Sequence, residues 1–179
     1  VRDDLLGIED YFGSYLPALI SRYLEERTIP GMEGTNFTLQ LTIKGERSLV
    51  YGIAIKDARE INVFPGGIDN PMLEAIFPED FVRPLVETVS SFTGKRQYDA
   101  VASAKGSVRL EMEMPGGWTL PVTIVFNGAS RPSVTIAASS GDFAKMATGE
   151  LKGPTAFMQG KIKLEGDMSF ALALANLLP

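Results

Sequence analysis

Adjacent carboxylates at Asp3-Asp4 and Glu25-Glu26 are the first places to look for acid–base chemistry, and their spacing argues against it. Neighbouring residues in a helix or a terminus point apart, so neither pair can flank one reacting atom. The chain has no histidine and no cysteine. Thiolate nucleophiles, imidazole bases, disulfides and the commonest zinc ligands are thereby removed, leaving carboxylate, Lys, Ser or Tyr chemistry. No GxGxxG leads from a strand into a helix and no GxxxxGKS/T occurs, so no cofactor or metal is expected and no catalytic constellation is found. What remains is apolar. The chain ends AFMQGKIKLEGDMSFALALANLLP, with no charged side chain after Asp167.

These residues need elements to position them. Met168 to Leu178 predicts a helix rich in Ala and Leu in which only Ser169 and Asn176 are polar, so it lacks the solvated stripe of a surface helix. It is far shorter than the ~20 residues that cross a bilayer. Its surroundings are therefore a protein core, a partner or a bound apolar ligand. Before it, Lys161, Lys163 and Glu165 alternate with Ile162 and Leu164 between Gly160 and Gly166, the pattern of an amphipathic strand.

Upstream, apolar residues recur at spacings of three and four from Ile8 to Arg27, predicting an amphipathic helix that Pro17 kinks or delays to near Ser14. Strands are expected at Phe37 to Ile43, Leu49 to Lys56 and Glu60 to Phe64, and a short helix from Asn70-Pro71 through Phe77. A helix follows over Asp80 to Phe92, while Gly94 to Gly106 carries no clear period. Val108 to Met114 and Trp118 to Phe126 form a hairpin around Pro115-Gly116-Gly117, and Ser133 to Ala137 adds a strand. Asp142 then caps a helix that Gly149 ends.

With 179 residues, 45% hydrophobic and 22% charged, the chain is large enough to bury a core as one domain or two intimately joined halves. A net charge of -5 and a pI near 4.8 weigh against nucleic acid and allow at most transient membrane contact. Zero cysteine is compatible with a reducing, cytoplasmic location. The start VRDDLLGIEDYF is no secretory signal, but it lacks an initial Met, so a removed leader stays compatible with it.

GGWTLPVTIVFNG, then SVTIAASSGDFAKMATGEL, then AFMQGKIKLEGDMSFALALANLL resembles the sterol carrier protein 2 (SCP-2 sterol-transfer) family, most clearly from Gly106 to Leu178. The family pattern has a strand pair around Trp-Thr, a third strand, an Asp-Phe helix ending in Gly, and a Phe-Met-x-Gly-Lys block. These stand here at Trp118-Thr119, Val134 to Ile136, Asp142-Phe143 with Gly149, and Phe157 to Met168. The resemblance implies an α+β fold, a curved, mainly antiparallel sheet covered by helices, over a cavity for sterols or acyl chains. Residues 79–179 would be that core. Residues 1–78 would be an N-terminal αβββ extension, the simpler reading, or a degenerate duplication widening the sheet. The sharpest local echo sets Gly106–Met114 against Gly160–Met168, an offset of 54, whereas Asp80-Phe81 and Asp142-Phe143 lie 62 apart.

The same resemblance makes Phe143, Met146, Leu151, Phe157, Met158, Ile162, Leu164, Met168, Phe170, Leu172 and Leu174 candidates for a lipid tunnel wall, with a plain packed core as the competing reading. Gln159 is a candidate polar group at the mouth, or a solvated residue before a strand. Lys161 and Lys163 read as a solvated strand face, and Trp118 as hairpin packing. The expected function is non-enzymatic binding and transfer of a lipid or sterol beneath the C-terminal helix. The alternative is an interaction or dimerisation module with a closed cavity, accessory to a lipid-processing enzyme and including a homodimer. An enzyme acting on lipid by carboxylate or Ser chemistry has no residue pattern in its favour.

Overall fold

Ile8 starts a helical run, α1 (Ile8–Asp10), a π-helical turn at Tyr11–Tyr15 and α2 (Leu16–Glu25), in a computed structural model that describes residues 7–82 and 94–178. Pro17 sits in the first turn of α2, where it has no N–H to contribute, and the wider π turn lies just upstream. The proline thus shapes the run without ending it.

Among the described residues eight strands follow: β1 (Asn36–Lys44), β2 (Leu49–Lys56), β3 (Glu60–Pro65), β4 (Leu73–Pro78), β5 (Gly106–Glu113), β6 (Thr119–Phe126), β7 (Ser133–Ser139) and β8 (Ile162–Gly166). They make one sheet of order β3-β2-β1-β4-β6-β5-β7-β8. The β1–β4 and β5–β7 pairs are parallel and the other pairings antiparallel. The remaining helices are α3 (Lys95–Ser103), α4 (Ser140–Thr148), α5 (Gly153–Met158) and α6 (Met168–Leu174), the last continued by a 3-10 turn at Ala175–Leu177. The architecture is the expected α+β one, a mainly antiparallel sheet with helices packed on it.

Alternation decides which face is covered. Paired residues in neighbouring strands share a face, and the row Leu39, Leu73 and Phe126 defines the inner one. On it stand Leu41, Ile43, Tyr51, Ile53, Ala75, Phe77, Leu120 and Val122, all buried, with Phe12 and Leu16 of the first helical run packed among them. The outer face carries Thr38, Gln40, Thr42 and Glu74, where Gln40 Nε2 and Thr42 Oγ1 each donate to Glu74 Oε1 at 3.3 Å.

Two expectations need correction. The short helix from Asn70 through Phe77 is strand β4. Asn70 lies in a left-handed turn at φ 49°, and Leu73, Ala75 and Phe77 then alternate inward between β1 and β6, so period-two burial overrides the Asn-Pro helix signal. Gly94 to Gly106 contains helix α3, whose amphipathic pattern is mostly polar. The helix expected from Asp80 starts as a 3-10 turn at Glu79–Phe81, and its continuation from residue 83 lies outside the described residues.

The sheet also holds a repeated topology. In β2-β1-β4 and again in β6-β5-β7, a strand lies between an antiparallel hairpin partner and a parallel later strand. Inner-face positions correspond at 112 − 43 = 69 (Ile43, Met112), 120 − 49 = 71 (Leu49, Leu120) and 134 − 73 = 61 (Leu73, Val134). The second hairpin turn is longer, and the second unit has no counterpart of β3. β4 stands beside β6 in that vacant place. The 54-residue echo pairs β5 with β8, which occupy different positions in the sheet.

Candidate functional site

The C-terminal half places three helices over the inner face of β5, β7 and β8. Ser139 caps α4, its Oγ accepting from the Asp142 N–H at 3.1 Å and donating to Asp142 Oδ2 at 2.8 Å. That fixes the register which turns Phe143 and Met146 inward. Leu151, Ala156 of α5 and Ile162 of β8 bury with Met146, and Phe143 and Leu164 border them.

The last helix is fixed at both ends. Asp167 caps α6, accepting from the Phe170 N–H at 2.7 Å, while its own N–H donates to Ser133 O at 2.9 Å. At the far end Arg96 Nη2 donates to the carbonyls of Asn176 (3.2 Å) and Leu178 (2.7 Å), orphan acceptors of a helix C-terminus. Phe170 is buried with Val108, Phe126 and Val134, and Leu174 packs beside it.

Between these two packed regions lies an incompletely covered row. Leu110, Ile136 and Leu164 are direct cross-strand neighbours on β5, β7 and β8. All three are only half-buried. On one side the row Val108–Val134 is buried under Phe170, and on the other Met112 and Ile162 are buried, the latter with α4 and α5. An aliphatic strip inside a sheet, less covered than its flanks, is the candidate seat for an apolar guest.

The candidate wall residues divide accordingly. Met146, Leu151, Ile162 and Phe170 are buried, and Phe143, Leu164 and Leu174 partly so, all beside the seat. Phe157 (47% exposed), Met158 (81%), Met168 (42%) and Leu172 (63%) point outward, and Gln159 is exposed. The end of α5, the turn after it and the outer side of α6 carry them to solvent, which sets the four apolar ones apart from the buried clusters, while for Gln159 exposure fits the mouth as well as a solvated residue before a strand. Sequence reasoning missed Leu110 and Ile136, although alternation in Val108–Met114 and Ser133–Ala137 marks both as inward-facing.

Among the described residues, no group of three or more Asp and Glu side chains is arranged to hold a metal ion, and every buried side-chain N or O atom has a hydrogen-bond partner. Among those residues, no helix is long and apolar enough to cross a membrane.

The candidate site is thus a half-covered aliphatic row on a helix-covered α+β sheet. Residues 91–179 match the SCP-2 sterol transfer family, and this part of the chain belongs to that family. It is similar to "Hydroxysteroid dehydrogenase-like protein 2" of Xenopus tropicalis, 35% identical over 103 residues, covering 53% of this chain and 25% of that protein. It is also similar to human "Sterol carrier protein 2", 33% identical over 72 residues, covering 35% of this chain and 13% of that protein. The chain thus spans about a quarter of the Xenopus relative's length. Among solved structures, the sterol carrier protein domain 2 of Helicoverpa armigera is 27% identical, with a TM-score of 0.37 over 44% of this chain and 70% of that one.

Proposed function

We propose that the chain is a non-enzymatic lipid carrier that seats a sterol or an acyl chain along Leu110, Ile136 and Leu164, beneath α6. The observation that carries this reading is the half-covered row between two packed flanks. Each methylene removed from water contributes ~0.8 kcal/mol, so a long acyl chain gains several kcal/mol without directional bonds. Specificity is accordingly broad. Membership of residues 91–179 in the SCP-2 sterol transfer family supports lipid binding as the domain's role. Residues 1–78 serve as a degenerate repeat that completes the sheet, and their own inner face is filled by Phe12 and Leu16.

Native mass spectrometry after gentle purification, together with displacement of a fluorescent fatty acid, tests the reading. Lipid mass or saturable displacement is expected. A chain with neither is not a carrier. The second reading, an accessory module in a longer lipid-processing protein, draws on the matched relative being about four times as long as the matched segment. A clean dimer without added mass would favour that module.

A further inference from the structure

We infer that the reverse turn from Phe157 to Lys161 is a contact tip for an anionic phospholipid bilayer, an inference that rests on the carrier reading and gives it a route for lipid entry. The turn is built to present what it presents. The Lys161 N–H donates to Ala156 O at 2.9 Å and the Gly160 N–H to Phe157 O at 3.0 Å, the paired bonds of a Schellman motif, with Gly160 at φ 69°. Residues 157–161 are all exposed, yet they are flanked by Ala156 and Ile162, both buried in the cluster beside the seat. A rigid base thus holds Phe157 and Met158 in water, where Met158 is 81% exposed. Among the described residues neither belongs to a buried core cluster, and an exposed aromatic and thioether suit the headgroup boundary of a bilayer.

Charge selects the kind of bilayer. From residue 151 to 164 the chain carries Lys152, Lys161 and Lys163 and no acidic side chain, while Asp142, Glu150, Glu165 and Asp167 stand outside that stretch, within a chain of net -5. These lysines are exposed. Basic residues beside an apolar tip strengthen contact with anionic lipid in a salt-dependent way. The tip touches the bilayer while Ile162 and Leu164, on the next strand, lead to the seat.

The test is flotation of the whole chain with phosphatidylcholine vesicles, with and without phosphatidylserine. Co-flotation with the phosphatidylserine vesicles, weakened by salt, is expected. Met158→Ser should lower vesicle affinity about tenfold, and Lys161→Gln a few-fold, with a flatter salt dependence. Met158→Ser should leave the melting temperature and fatty-acid binding in vesicle-free solution unchanged, since Met158 lies outside both core and seat. The inference is overturned if the chain ignores phosphatidylserine vesicles, if Met158→Ser floats as well as the parent, or if that variant loses fatty-acid binding without vesicles present. A chain that floats through this tip but takes up no fatty acid would sink the carrier reading alone and support the tip as a membrane contact.

Discussion

A β-carbon on Gly106 would stand 2.6 Å from Cζ of Phe170, so the first residue of β5 is bare where the ring of the C-terminal helix rests on the sheet. The same β-carbon would lie 2.5 Å from Pro132 O, and Gly106 sits at φ 141°. Backbone conformation and close approach thus both require glycine there. Gly106→Ala should displace Phe170, loosen α6 and destabilise the fold by about 2–3 kcal/mol, read from urea denaturation. A loss under about 0.5 kcal/mol would show that α6 does not depend on this contact.

The seat and a plain packed core respond oppositely to added volume at Ile136. If the row Leu110–Ile136–Leu164 is left open for a ligand, Ile136→Phe should keep or raise the melting temperature while weakening fatty-acid binding about tenfold or more. A packed core would instead be strained by roughly 1–3 kcal/mol. Thermal melting and fluorescent fatty-acid displacement on the same variant separate the two.

Arg96 joins α3 to the carbonyl end of the C-terminal segment. Arg96→Ala should cost about 1 kcal/mol of stability, speed fatty-acid release several-fold, and lower amide protection selectively over residues 174–178. Unchanged release alongside lowered protection would show that the ligand does not leave past this end of the helix.

Tyr51 stacks on Phe12 with ring centroids 4.7 Å apart and an interplanar angle of 19°. Burial, with the nearby Glu9 carboxylate adding to it, raises the Tyr51 phenol above its ordinary value of 10.0. The neutral phenol is the form that folding favours, so this contribution is whole below the unfolded-state value and is lost as pH rises through the folded one. Stability should therefore fall above about pH 10, and Tyr51→Phe should remove that part of the slope. Melting temperatures of both proteins from about pH 8 to 11 provide the measurement.

Local pattern made much of the fold legible. Strand β1 and the hairpin of β5 and β6 follow from alternation and from turn glycines, and the helix end at Gly149 from short-range geometry. β4 was misread because an Asn-Pro pair is a local signal, whereas the strand owes its existence to two neighbours distant in sequence. The repeated topology, one of two readings of residues 1–78 in the sequence, does not align there for a related reason. The spacing between halves changes where the second hairpin turn lengthens and where β3 has no counterpart, so no single offset aligns the chain.

The sequence by itself determined that this protein lacks thiol and imidazole chemistry, that its last helix has no polar stripe, and that its C-terminal half follows a lipid-carrier pattern. Those properties reside in residue types and in spacings within a few turns of chain. Only the tertiary structure decided which apolar residues border the half-covered row and which meet water. An apolar side chain is drawn inward by burial but placed by the elements around it. The end of α5 sends Phe157 and Met158 outward, while the pairing of β5, β7 and β8 brings Leu110, Ile136 and Leu164 into one half-covered row.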